Sequence, residues 1–566
     1  MVIDFVARYC SSKVFLLTGN GAMYLNDAMQ IHPNIDYVCV RNEAVAPLAA
    51  SAFSKLTGQT GTVCVTAGPG AANAIPGVIE AWVEGTSILV LSGQVPAQEK
   101  HNFGRKFVKE QRSFGIAGIP IIDYVSEFTK LAICLDEVEK LELSLQQIYE
   151  ALTTGRPGPI WVDIPLDIQS SDCKAIDLPN IQTQAELLAS TRKNIKEENE
   201  DGIEKPLRSA KNPLFLIGSG SESALKNGLL ENWIDSTGTV FALTRPNAYF
   251  FPITKLGNLG VVGVRGRAWS KYILANTDLL IALGSRIPSS VVGPNYSYLD
   301  PSCKILLVNS EQGEFKRHSG RIINKTPIEV ENFLQNHSLA NAIFENENAK
   351  HWLSHIESIK LSELSKIRNT NESPLDLYWF CQNLEKHMND SNVLTTDAGS
   401  VYYACGQSMT FERSFQEVTS GTFAAMGVSV PIAIGSAIAI ENKSRIVCIT
   451  GDGSFELNVQ ELQTISNYSL NIVIFVINNG GYASMRAWQD SYFDSRYIGS
   501  TDETGTKPMN FARIANAFNI EYEVISSISE FNSKISFILE RKEPMIVEVI
   551  CDPNQTLDLP MKVDLV

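Results

Sequence analysis

The chain has 566 residues, 44% of them hydrophobic, with 47 Lys+Arg against 62 Asp+Glu and a formal net charge of -15. It is too apolar for a disordered chain and far longer than the roughly 250–300 residues at which a single core stops growing, so three domains of ordinary size are expected. With a pI of 5.1 and no Lys/Arg block, nucleic acid and anionic membrane surfaces are not expected as partners, whereas a local pocket for a small anion is compatible with the charge.

The first residues, Met1-Val2-Ile3-Asp4-Phe5, lack a basic region running into an apolar stretch, and no run of about 18 apolar residues occurs later, so a cytoplasmic protein is expected. The ten cysteines stand singly with no C-x-x-C pair, mostly inside apolar runs. They read as buried small hydrophobes in a reducing compartment.

In chain order, β-branched runs followed by Gly-rich turns and segments of helical period predict parallel α/β layers. Residues 62–66, the turn Ala67-Gly68-Pro69-Gly70, a helix over 71–84 and a strand over 88–91 form a first βαβ unit. The stretch 170–206 turns polar and charge-rich and predicts a linker. A second unit opens at 213–220 and continues through 279–283 and 305–308, its last strand ending near Asn309. After a polar, largely helical connection over 350–372, α/β punctuation resumes at 393–397. Residues 445–450 then read as a buried strand ending in Gly451-Asp452-Gly453. An amphipathic segment over 455–468 follows, and the apolar run 472–477 ends in Asn478-Asn479-Gly480-Gly481. The resulting expectation is three doubly wound parallel-sheet domains, at 1–170, 190–345 and 372–566, the outer two sharing a layout.

In a right-handed βαβ unit both strand ends open onto one crevice, where ligands bind. Asp452 and Asn479 would face each other there. A carboxylate and an amide carbonyl are hard oxygen ligands, too few for calcium but suited to Mg²⁺, which commonly completes its octahedron with phosphate oxygens and water. The glycines let backbone approach phosphates, and a helix starting near Ser454 offers N–H groups to an anion. Alone, Gly-Asp-Gly is a turn after a strand; two such strand ends with a helix between them point to a Mg²⁺-diphosphate.

The pattern resembles that of the thiamine diphosphate enzymes, whose signature is Gly-Asp-Gly followed at the next strand end by Asn-Asn, and the resemblance covers nearly the whole chain. It implies a pyrimidine-binding, a central and a diphosphate-binding domain, with Mg²⁺ held by Asp452, the Asn479 side chain and the Gly481 carbonyl. Gly451, Gly453, Ser454 and Tyr482 would complete the diphosphate site. It further implies that Glu43, in Val40-Arg41-Asn42-Glu43-Ala44, shares a proton with the cofactor's pyrimidine, the acid-base work that starts the reaction. An apolar setting would raise the pKa of such a carboxyl. Gly19 and Asn20 fall at the matching catalytic turn. Gly421 lies on the segment of Met426, which matches the apolar residue that props the cofactor in its bent form. Because one subunit's glutamate meets another's diphosphate site in this family, a homodimer or homotetramer is implied.

Within the family, Asn478-Asn479-Gly480-Gly481-Tyr482-Ala483-Ser484-Met485-Arg486-Ala487-Trp488-Gln489 resembles the acetolactate synthase catalytic subunits, in which the tryptophan shapes the pocket for the second keto acid. The resemblance implies decarboxylation of pyruvate and transfer of a two-carbon unit to a carbonyl acceptor, with Trp488 in the acceptor pocket. The adjacent-histidine pair of pyruvate decarboxylases is absent, the nearest histidine being His101, so carboligation is favoured. Ile116-Ala117-Gly118 departs from the synthases' Ile-Gln-Glu. Residues 495–505 resemble relatives from surface-sugar pathways, which leaves a keto-sugar nucleotide open as acceptor, beside a 2-keto acid decarboxylase or oxidase reading. FAD is also open: Arg156, Gly218, Gly220 and Arg286 are the residues that would line its site, while Val308-Asn309-Ser310-Glu311 lacks the acidic grip on the ribose seen in flavin-containing members.

Overall fold

The computed structural model describes residues 1–101, 112–179, 201–318, 320–324, 326–365, 371–555 and 557–558. Most of the expected linker, and the residues that follow His101, lie outside these. Three sheets form. The first contains β1 (Lys13–Leu16), β2 (Asp36–Cys39), β3 (Gly61–Val65), β4 (Ile88–Gln94), β5 (Leu131–Cys134) and β6 (Ile160–Pro165), in the order β2-β1-β3-β4-β6-β5. The central sheet contains β7 (Pro213–Ile217), β8 (Phe241–Leu243), β9 (Asn258–Val261), β10 (Leu279–Leu283) and β11 (Lys304–Val308), in the order β11-β10-β7-β8-β9. The third contains β12 (Val393–Thr396), β13 (Gln416–Thr419), β14 (Ile446–Gly451), β15 (Ile472–Asn478), β16 (Glu521–Ile525) and β17 (Met545–Ile550), in the order β13-β12-β14-β15-β17-β16.

Every ladder between these strands is parallel. Parallel strands are buried on both faces, which is why their sequences read as continuous apolar runs. In β7, Phe215 and Ile217 enter one core while Leu214 and Leu216 enter the core on the opposite face. The chain is α/β throughout, as the punctuation predicts.

The two outer sheets have one topology, with each strand of the third in the place held by its counterpart in the first. The helices that follow β2 and β13, Val45–Thr57 and Ser429–Ala439, are therefore equivalent, and they pack on each other. A Cβ added to Gly435 would lie 2.0 Å from the Ala49 carbonyl oxygen. Only glycine allows that approach. Leu48 and Ala52 join the core of the third sheet, so the first and last thirds of the chain share a hydrophobic seam.

The expected amphipathic segment over 455–468 is not one helix. A short helix Asp452–Phe455, a 3-10 stretch Glu456–Glu461 and a helix Leu462–Asn467 replace it, with Asn458 at φ -133. The Asn458 side-chain amide donates to the Gly427 carbonyl at 2.7 Å, and that tertiary contact takes the residue out of the helical path. All ten cysteines are free, and seven are buried. No helix among the described residues is long and apolar enough to cross a membrane.

Candidate functional site

In a doubly wound sheet, ligands collect where the strand order reverses. The reversals fall between β1 and β3, between β7 and β10, and between β12 and β14. Each sequence-predicted residue on these loops sits at one of them: Gly19 and Asn20 after β1, Gly218 and Gly220 after β7, Arg286 after β10, and Gly451, Asp452, Gly453 and Ser454 at the end of β14.

At the third-sheet crevice, Asp452 is 2% exposed. Its Oδ1 accepts from the Gly453 amide at 2.7 Å and its Oδ2 from the Gly481 amide at 2.8 Å. The two strand ends thus meet, with Asn479 and Gly481 against the carboxylate. Burial pushes the Asp452 carboxyl up to about 6, against the pull of three backbone N–H groups and of Arg486. A carboxylate so desolvated gains from a cation. The Tyr482 ring lies over Gly453, where a Cβ would sit 2.0 Å from Cε1, so the turn is open only to glycine.

Arg486 ties this loop together. Its guanidinium donates to the carbonyls of Asn479 at 2.7 Å, Gly480 at 2.8 Å, Ser500 at 2.9 Å and Pro553 at 3.1 Å. Asn478 donates to Glu548 at 2.6 Å and so does not face the crevice. Trp488 stacks on Tyr492 one helical turn on, centroids 5.4 Å apart at 17°. The segment 495–505 is pinned beside them by Gln489, whose Oε1 accepts from Ser500 Oγ at 2.5 Å.

Met426 is 40% exposed on an irregular segment after β13, next to Phe423 at 46%. Asp397, at the end of β12, fixes its far side: Oδ1 accepts from the Gly427 amide at 3.0 Å, and Oδ2 from the Ser429 amide at 3.1 Å and the Ser429 hydroxyl at 2.6 Å. Gly421 is held through its carbonyl, which accepts from the Tyr402 hydroxyl at 2.8 Å. Asp397 and Arg486 carried no assigned role in the sequence; the position of Asp397 at a reversal of strand order is the signal that would have found it.

In the first sheet, Gly19 precedes the turn Asn20–Ala22, and the Gly21 amide donates to Thr66 Oγ1 at 2.9 Å, joining the ends of β1 and β3. Asn20 is exposed. Glu43 is half-buried between β2 and the helix Val45–Thr57, and its Oε2 accepts from the Asn73 amide at 3.2 Å. Two residues earlier, the Arg41 amide docks on Glu461 Oε1 of the third domain at 2.9 Å. Among the described residues no hydrogen bond joins Glu43 to the Asp452 cluster. Ala117 stands in the left-handed region, its carbonyl against Gly68.

The central crevice opens into a cavity of about 680 Å³ that also touches both outer domains. Arg156, Gly218, Gly220 and Arg286 all line it, with Glu84, Glu311 and Glu331 among the acidic residues. Burial and the neighbouring Arg156 lower the pKa of the Arg286 guanidinium. Beneath it, Arg245 and Glu417 form a buried bidentate pair at 2.5 and 2.7 Å that clamps the central domain to β13.

Three switch-point crevices on one chain, with the first and third sheets joined through a pair of packed helices, are the architecture of a multidomain ligand-binding α/β protein. The chain matches, in order, the Thiamine pyrophosphate enzyme N-terminal TPP binding domain over residues 1–130, the central domain over 202–325 and the C-terminal TPP binding domain over 397–549. It belongs to the thiamine diphosphate-dependent enzyme family and is an acetolactate synthase-like enzyme of the carboligase and transferase type. It is similar to a probable acetolactate synthase large subunit of Methanocaldococcus jannaschii, 26% identical over 557 residues that cover 96% of this chain and 90% of that one. It is likewise similar to the acetolactate synthase isozyme 1 large subunit of Escherichia coli (strain K12), 26% identical over 560 residues, 98% and 94% of the two chains. A mitochondrial acetolactate synthase of Schizosaccharomyces pombe is 26% identical over 578 residues, 97% and 82%.

Proposed function

We propose that the chain uses thiamine diphosphate and Mg²⁺ to decarboxylate pyruvate and to transfer the two-carbon unit to an acceptor carbonyl. The observation that carries this reading is the meeting of Asp452 with the Asn479-Gly480-Gly481 turn under Tyr482. The donor set suits magnesium: one buried carboxylate, one amide oxygen and one backbone carbonyl, the remaining positions falling to phosphate oxygens and water.

When bound, thiamine diphosphate supplies the electron sink that lets the carboxylate of a 2-keto acid leave as CO₂. The chain's own residues do the rest. Asp452, Asn479 and the Gly481 carbonyl would hold the metal, Arg486 keeps their loop in register, and Met426 would support the cofactor. Glu43 would exchange a proton with the pyrimidine ring. Trp488 walls the acceptor pocket, which excludes water from the transferred unit.

Glu43 and the Asp452 cluster belong to sites completed between two copies in this reading, so a homodimer or a pair of dimers is proposed. Met23, Tyr24, Phe423, Met426, Leu457 and Met485 are large apolar side chains from 40% to 53% exposed, and several flank the two half-sites, as a surface covered by a second copy requires. In this reading the central cavity is the place for FAD: Arg156 and Arg286 line it as cations for a phosphate, and Glu311 and Glu331 line it as acceptors for hydroxyls. A yellow protein would carry the flavin, and bleaching on addition of pyruvate would identify an oxidase.

The test is calorimetry of thiamine diphosphate with and without Mg²⁺, followed by labelled pyruvate with a panel of keto acids, aldehydes and keto-sugar nucleotides and product mass. Absence of Mg²⁺-dependent binding refutes the reading. Product mass identifies the acceptor.

A further inference from the structure

The segment 420–428, which carries Met426, has no strand partner to define it. Ala424 lies at φ 52 and Gly427 at φ 78, so its course is set by side chains that accept its amides. Asp397 takes the Gly427 amide from the third domain, and Ser420 Oγ takes the Ala424 amide at 2.8 Å. The Thr422 and Phe423 amides instead reach across to the first domain, where Glu84 Oε1 accepts both, at 2.6 and 3.4 Å.

Glu84 is the last residue of the helix Pro69–Glu84, and its side chain is only 4% exposed. Lys55 Nζ lies 3.6 Å from its Oε2 and also donates to the Thr419 carbonyl at 3.4 Å, so a cation stands beside the carboxylate. Glu84 lines the central cavity as well, beside Arg156 and Arg286, and Arg286 donates to the Thr422 hydroxyl at 3.1 Å. One carboxylate therefore touches the Met426 segment, the first domain's helix pair and the cavity wall.

We propose that Glu84 is a positioning residue: it accepts the Thr422 and Phe423 amides and thereby sets where Met426 meets the cofactor, which links cofactor binding to the state of the central cavity. This rests on the thiamine diphosphate reading above. A charge-assisted hydrogen bond to backbone amides is short and strong, and a shorter acid cannot reach them without moving the segment. Glu84→Asp keeps the charge beside Lys55 but withdraws the acceptor by one methylene. Glu84→Gln keeps the acceptor oxygen and loses the charge.

The experiment measures thiamine diphosphate affinity with Mg²⁺ by calorimetry, the near-ultraviolet circular dichroism of the bound cofactor, and kcat against the KM for cofactor, on the full-length chain. The expected result is an affinity about 10- to 100-fold weaker in Glu84→Asp, the loss of a hydrogen bond to a charged group. Its dichroism is altered and its apo thermal midpoint close to wild type, whereas Glu84→Gln regains most of the affinity. Wild-type affinity and dichroism in Glu84→Asp overturn the proposal, as does a loss in Glu84→Gln equal to that in Glu84→Asp. Failure of the wild-type chain to bind thiamine diphosphate overturns the cofactor reading itself, a result distinct from either.

Discussion

One turn before Glu84, Glu80 is 4% exposed, and its Oε2 has no hydrogen-bond partner. Burial, reinforced by the charge of Glu84, pushes its carboxyl up to about 7 from an ordinary 4.5, against the opposing pull of the Ser420 hydroxyl and of Lys55. The native state therefore holds a proton that the unfolded chain releases. Its stabilising effect is complete below about pH 4.5 and is lost as the pH rises through about 7. The full difference is about 3 kcal/mol, of which about 2.5 kcal/mol is lost between about pH 5 and pH 8. Glu80→Gln, a neutral group of the same shape, should remove this slope. Amide hydrogen exchange of the peptide spanning Pro69–Glu84 measures the local opening free energy. At about pH 5 the variant should exchange only a few-fold more slowly than wild type, and at about pH 8 roughly 200-fold more slowly. Equal protection of the two proteins at both pH values would refute the reasoning, because it would mean that Glu80 is ionised at no cost.

Three further outcomes follow from the packing. Glu417→Gln strands the Arg245 charge in the junction between the central and third domains and should cost about 3–5 kcal/mol in urea unfolding, whereas replacing both partners by apolar residues should cost much less. Arg486→Met leaves the carbonyls of Asn479 and Gly480 without their donor and should weaken Mg²⁺-dependent cofactor binding about 100-fold in calorimetry. Gly453→Ala drives a methyl into the Tyr482 ring and should abolish that binding while the far-ultraviolet dichroism stays unchanged.

The architecture was legible because a strand buried on both faces writes itself as a run such as Leu214-Phe215-Leu216-Ile217, and because the turns after it need glycine. Asp452 and the Asn479 turn were legible for the same local reason. The supports of the site were not. Asp397, Glu84 and the Arg245–Glu417 pair act on partners from about 30 to more than 300 residues away, and no short window of sequence contains both members. The break at Asn458 was hidden for a related reason: the residue fits a helical pattern, and only its bond to Gly427 pulls it out. Arg486 stood in plain view within a quoted motif, but its four carbonyl acceptors come together only once the loops at 480, 500 and 553 converge.

The equivalence of the helices Val45–Thr57 and Ser429–Ala439 means that a single chain already packs two halves of one topology against each other. In a true pair of identical subunits, any change on one face is imposed on the other. Here the two halves are encoded separately and carry different residues: Glu43 stands after β2 in one, and Asp452 and its glycines stand at the end of β14 in the other. A chain that carries two such halves can place different residues at their crevices, which a symmetric pair of identical subunits cannot.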